Sequence, residues 1–379
     1  MSDLSLSLQA LERSRSQLPV SSYFNEDLFR REQELIFQQG PRYLGHALSV
    51  PEVGDYLALP QEGEGRALVH TRDGIEMVSN VCRHRQAVML RGRGQTASNI
   101  VRPLHRWTYD LHGRLVGAPH FDCDPGLNLR NYPLQNWHGL LFEHNGRDVV
   151  ADLKKLGPKA ELDFSGYVFD RAHVHECDYN WKTFIEVYLE DYHVGPFHPG
   201  LGGFVTCDDL RWEFGRHHSV QTVGVQHDLE RPGSAIYRRW HDEVRRVHDG
   251  VPQQGAIWLT YYPTVMVEWY PQVLVVSTLF PRGPQKTTNL VEFFYPEEIA
   301  AFERDFVDAQ QAAYLETCTE DDEIALRMDA GRRALHERGD DEAGPYQSPM
   351  EDGMQQFHEW YRRALGLTVG VSADVRDGP

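Results

Sequence analysis

Cys82-Arg83-His84, followed twenty residues on by Arg102-Pro103-Leu104-His105-Arg106-Trp107, is the passage that decides how this chain is read. A thiolate and an imidazole two positions apart, answered by a second imidazole, are the donors with which paired loops hold an iron–sulfur cluster. One iron takes the thiolates and the other the imidazoles. The complete pattern is C-x-H followed by C-x-x-H. His105 is in place, but the position three residues before it carries Arg102 instead of cysteine. A guanidinium stays protonated and offers no lone pair to a metal. Three donors are therefore present, Cys82, His84 and His105, with a permanent cation at the fourth position. A complete cluster is expected to bind weakly or not at all, while the domain around it folds on its own β core.

Further blocks extend the pattern. His84 is followed by Arg85 and a Gly92-Arg93-Gly94 turn, and His105 by Trp107-Thr108-Tyr109-Asp110. A second block runs from Asn180-Trp181-Lys182 through Glu190-Asp191-Tyr192-His193 to His198-Pro199. A third reads Glu320-Asp321-Asp322-Glu323-Ile324 with Gly331 after it, and Phe357-His358-Glu359-Trp360-Tyr361 stands near the end. In this order, over roughly residues 20–365, the blocks resemble the Rieske non-haem iron oxygenases, terminal α subunits of ring-hydroxylating dioxygenases and of carnitine and choline monooxygenases.

The resemblance implies a [2Fe–2S] cluster held by Cys82, His84 and His105 with Arg102 in the fourth position, and a mononuclear Fe(2+). The iron would take His193 and His198, with Asp321 as the carboxylate best matching the family position in the acidic run 320–323. Glu190 would correspond to the acid that links a neighbouring subunit's cluster histidine to this iron. Its being glutamate resembles the carnitine-oxidising branch.

The residues themselves fit that chemistry. Over a helix expected from about Trp181 to Val194, Glu190 and His193 share a face and Asp191 does not. Gly195-Pro196 is expected to break the helix and let His198 turn back towards the same metal. Two imidazoles and one carboxylate leave coordination positions open for oxygen and substrate. Bland readings compete: the chain has 19 histidines, and acids also collect at exposed helix N-termini. Position 102 has its own alternatives: a point substitution, a degenerate homologue that lost electron transfer, or rescue by Cys123, whose flanking acids suggest an exposed turn. Cys177, Cys207 and Cys318 read as small buried apolar residues.

Bulk properties set the frame. A length of 379 residues allows two domains with real cores. A formal net charge of -18 argues against nucleic acid and anionic membranes as partners. No apolar run approaches the ~20 residues of a membrane span. Met1-Ser2-Asp3-Leu4-Ser5 lacks the charged and apolar regions of a signal peptide. Five scattered cysteines are not a disulfide framework, so a cytoplasmic location is expected.

The expected fold is α+β, in three segments. A helical lead-in covers 1–40, with Leu28, Leu35 and Ile36 on one face and Gly40-Pro41 as its stop. A small all-β, Rieske-type domain covers 41–150, with strands around 67–70, 75–78 and 140–143. A catalytic domain covers 151–379, where 256–262, 264–270 and 273–280 read as neighbouring antiparallel strands edged by Pro263, Pro271 and Pro281. Residues 297–338 read as helix. A curved sheet around a long helix, the helix-grip form that the resemblance implies, would leave a cavity for a small ligand.

The function implied by the resemblance is the terminal oxygenase of a two-component system. Dioxygen is activated at the iron to hydroxylate or dealkylate a small organic substrate. No flavin or plant-type ferredoxin pattern is visible, so an NAD(P)H-dependent reductase is expected as a separate partner, and electron transfer between subunits implies a homotrimer. Quaternary ammonium compounds are the favoured substrate class. Tyr188, Tyr262 and Trp269 are candidates for a cation–π cage, or equally for ordinary core. Two alternatives stand beside this: an aromatic-ring hydroxylating dioxygenase, and a catalytically silent paralogue that binds a ligand or pairs with an active subunit.

Overall fold

A computed structural model describes residues 3–14, 16–248 and 250–367. Two compact units divide the chain: one spans Gln39–Lys154, and the other joins the residues up to Gln38 to those from Lys155 onward. Residues 1–2 and 368–379 of the expected outer segments lie outside the described residues.

Short antiparallel sheets build the first unit. Its five-stranded sheet runs Arg93–Gln95, Asp55–Ala58, Arg66–Thr71, Gly74–Ser79, Asn131–Tyr132, in that spatial order. The strand Arg66–Thr71 shows why it is central. Successive side chains point to opposite faces; Ala67 and Val69 enter one core with Trp107 and Tyr109, and Leu68 enters another with Leu44 and Leu141. Two three-stranded sheets complete the unit. One pairs Tyr43–His46, Leu140–Glu143 and Leu134–Trp137, and the other Asn99–Val101, Thr108–Asp110 and Leu115–Gly117.

The second unit carries a seven-stranded antiparallel sheet in the order Tyr167–Cys177, Lys286–Pro296, Val273–Gly283, Val265–Tyr270, Ala256–Tyr261, His218–Val225, Val205–Phe214. Pro281 lies inside its strand rather than at the edge, beside a register shift between Pro281 and Gly283, where a missing N–H is tolerated. A 35-residue helix, Arg304–Arg338, packs on the sheet. Phe306, Val307, Ala309 and Ala313 share a core with Val275, Val291 and Phe293.

The N-terminal helices Asp3–Arg13 and Glu26–Glu32 belong to this unit, because their apolar face is completed by it. Leu11, Leu28 and Ile36 pack among Trp181, Ile185 and Tyr361. The Asn180-Trp181-Lys182 block explains itself here. Asn180 caps the helix Trp181–Tyr188, its side chain accepting from the Lys182 N–H. The indole of Trp181 donates to Glu32 at 2.9 Å, and Lys182 Nζ meets the same carboxylate at 2.6 Å. Tyr361 donates to it as well.

Glu32 and Lys182 are both buried. Removing one partner of a buried pair strands the other charge in low dielectric. Lys182→Met should therefore destabilise the protein by about 3–5 kcal/mol. The double variant Glu32→Gln/Lys182→Met should recover part of that loss, read as shifts in the denaturation midpoint across a double-mutant cycle.

Candidate active site

Three side chains from distant parts of the sequence meet in the second unit. The helix beginning at Trp181 ends at Tyr188, short of the expected Val194, because Asp191 N–H bonds to the carbonyl of Met350 at 3.0 Å instead of continuing it. Glu190 thus reaches His193 from a turn, accepting from its backbone N–H at 3.1 Å and holding its Nδ1. Gly195 and Pro196 do not break a helix but sit in a new single turn, Val194–Phe197, whose first N–H groups have no intrahelical acceptor in any case. That turn carries His198 back towards His193, with ring centroids 4.9 Å apart.

Asp321 comes from the long helix. Its Oδ1 lies 2.9 Å from His198 Nε2 and 3.5 Å from His193 Nε2. Neighbouring acids in the run are spent otherwise: Glu320 holds His198 Nδ1 at 2.7 Å, while Asp322 turns away to His175 and the hydroxyl of Tyr179. Both imidazoles therefore have Nδ1 held by a glutamate and Nε2 turned towards one carboxylate. His198 Nε2 is buried, and its 2.9 Å approach to Asp321 is not aligned as a hydrogen bond. Burial depresses the pKa of His193, yet bonds to Asp321 and Glu190 raise it to about 10. The donor set of two imidazoles and a carboxylate fits ferrous iron.

These three residues line one cavity, with walls that include Tyr188, Tyr237, Trp240, Trp258, Tyr270 and Tyr314. Of the aromatic residues expected from the sequence, only Tyr188 is there. Tyr262 lies in the core against Phe357 and Trp360, and Trp269 alternates to the other face of its strand from Glu268, which does line the cavity. Glu268 was legible as a single acid inside Val-Met-Val-Glu-Trp-Tyr. Asp191 also lines the cavity, and burial pushes its pKa up to about 7. No lysine or arginine lines the cavity among the described residues.

The first unit brings Cys82, His84, His105 and Arg102 to two loop tips of the same build. Gln86 N–H returns to the Cys82 carbonyl, and Arg106 N–H to that of Arg102. Gln86 and Arg106 both adopt positive φ, 49° and 56°, rare for residues with a Cβ. Position 102 is thus the spatial counterpart of Cys82. Its side chain is 1% exposed, and Nη1 sits 3.2 Å from His84 Nδ1 and 2.5 Å from His105 Nδ1. The guanidinium lies where the two imidazoles converge, and among the described residues Cys82 is the one cysteine within these two loops. A [2Fe–2S] cluster does not fit this arrangement.

Comparison with known proteins agrees with the geometry. Residues 164–367 match the ring hydroxylating alpha subunit (catalytic domain) family, and residues 43–133 the Rieske [2Fe-2S] domain. The chain is 65% identical to a putrescine 2-hydroxylase of Ralstonia nicotianae over 96% of this chain and 100% of the relative. It is 60% identical to that of Bordetella bronchiseptica, over 94% and 86%. The carnitine monooxygenase oxygenase subunit of Escherichia coli is 30% identical over 74% and 75%. Among solved structures, a quaternary ammonium Rieske monooxygenase superposes with a TM-score of 0.74 at 18% identity, covering 95% of this chain and 97% of that one, which speaks for the fold alone.

Changing His193 or His198 to alanine should lower iron content per chain at least about tenfold, and Asp321→Ala should weaken it. Asp322→Ala should leave iron content unchanged, because its carboxylate serves His175 and Tyr179. Metal analysis after reconstitution with ferrous iron reads all four.

Proposed function

The chain belongs to the Rieske non-haem iron oxygenases as a terminal α subunit, and on that premise we propose that its substrate is a small aliphatic diamine of the putrescine type, hydroxylated on carbon. The observation that carries this reading is the cavity beside His193, His198 and Asp321, which has aromatic walls and buried carboxylates but no lysine or arginine among the described residues. A dication fits such a lining. Carnitine would bring a carboxylate with no lysine or arginine to meet it, and a neutral arene would leave the acids unpaired. The identity to putrescine 2-hydroxylases supports the same substrate.

His193, His198 and Asp321 would hold the iron, which supplies oxygen activation when bound. Glu190 and Glu320 accept from the Nδ1 positions, fix each ring's orientation and leave Nε2 facing inward. The aromatic walls exclude water and contact the methylene chain. A separate reductase, a homotrimer and a role for Glu190 at a subunit boundary are part of this proposal, as the family suggests.

The unfit cluster site supports a second statement: the chain as written is impaired in receiving electrons. The unmodified protein should show no rhombic Rieske signal in its electron paramagnetic resonance spectrum and no reductase-dependent oxygen uptake. Arg102→Cys should restore both and yield hydroxyputrescine by mass spectrometry. A full-occupancy signal in the unmodified protein would overturn the impairment. An active Arg102→Cys protein that leaves putrescine untouched would overturn the substrate.

A further inference from the structure

We propose that Glu268 is the anchor for a terminal ammonium of the substrate, and that with its two tyrosines it sets the preference for primary amines. This rests on the diamine reading above and assigns it a residue.

Glu268 sits on the strand Val265–Tyr270, paired with Trp258 on one side and Val275 on the other, and is 2% exposed. It lines the same cavity as His193, His198 and Asp321. Tyr314 donates to Oε1 and Tyr270 to Oε2, each at 2.9 Å. The Tyr270 hydroxyl in turn accepts from the Trp258 indole at 3.0 Å. Among the described residues neither carboxylate oxygen meets a lysine, arginine or histidine. An ionised carboxylate has about four acceptor positions, so two tyrosine donors leave about half unused.

A buried carboxylate without a cationic partner costs stability. Burial pushes the Glu268 pKa up to about 7, against the lowering effect of Tyr314 and Tyr270. A ligand ammonium seated beside it supplies the missing charge and keeps the group ionised. Trp258, Tyr270 and Tyr314 line the same cavity, and aromatic faces attract cations.

Spacing agrees. Tyr314 and Asp321 are seven residues apart on one helix, so they share a face about 10 Å apart along its axis. A four-carbon diamine spans five bonds of about 1.5 Å each. With one ammonium on Glu268, the rest of the diamine would extend through the cavity that Asp321 also lines.

Calorimetric titration of the iron-loaded full chain with putrescine, 1-butylamine and 1-butanol tests the anchor. In the unmodified protein both amines should bind at least about tenfold more tightly than the alcohol, as expected for a charged hydrogen bond. Glu268→Gln, which keeps shape and one acceptor oxygen, should weaken both amines about tenfold or more and leave 1-butanol unchanged. Equal amine binding by the variant would overturn the anchor while leaving the diamine reading intact. If 1-butylamine binds and is lost in Glu268→Gln but putrescine does not bind, the anchor stands and the diamine reading falls. If neither amine outcompetes the alcohol in the unmodified protein, both fall.

Discussion

One carboxylate oxygen of Asp321 faces the Nε2 atoms of both His193 and His198, and the second unit is arranged so that this convergence holds. Three like-minded acceptors do not approach each other in water without a reason; here the reason is packing. A 35-residue helix is fixed at its start by apolar contact with the sheet. Further along, Asp329 accepts from Asn180 N–H at 2.9 Å and from the Thr183 hydroxyl at 2.6 Å, and Arg332 meets Glu186 at 2.6 Å. Those bonds lock the long helix to the helix that precedes the two histidines. The site is thus set by rigid elements rather than by its loop.

The same pinning explains a concentration of buried charge that would otherwise be costly. Glu186 is buried between Arg332, His358 and the Tyr23 hydroxyl. Burial alone would raise its pKa, yet Arg332 and His358 bring it down to about 2. Glu32 plays the matching part for Lys182 and the N-terminal helices. Each charge is satisfied by a partner from a remote segment, so the network specifies which segments meet. Glu268 and Asp191 differ: both are buried in the cavity lining without a salt bridge to lysine or arginine among the described residues, and Glu268 is held by tyrosine donors.

The two sites differ in how one substitution acts. In the first unit the loop tips keep their paired backbone geometry around position 102, so the scaffold tolerates arginine. The imidazoles keep their nitrogens turned inward and meet a guanidinium there. The core beneath the loop tips, with Val69, Val78 and Tyr109, is built from buried apolar side chains and takes in Cys82.

Much of this was legible in one dimension. Short β-prone runs bounded by turn residues marked the strands around 67–70 and from Ala256 onward, because such patterns are local, whereas His193 and His198 were singled out by the resemblance of their block rather than by their spacing. The acid run 320–323 could not resolve itself. Adjacent helix positions differ in direction by about 100°, so only the packed helix decides that Asp321, not Asp322, faces the histidines. The end of the first helix at Tyr188 depended on Met350, far along the chain. For Tyr262 the core reading holds and Trp269 does not line the cavity, because apolar runs of this kind carry aromatic residues to core and cavity alike. Residue order determined the family, the candidate donors and the arginine at position 102. Tertiary structure decided which carboxylates converge and which are buried in the cavity wall, because burial and long-range partners, not spacing, set the chemistry of an acid.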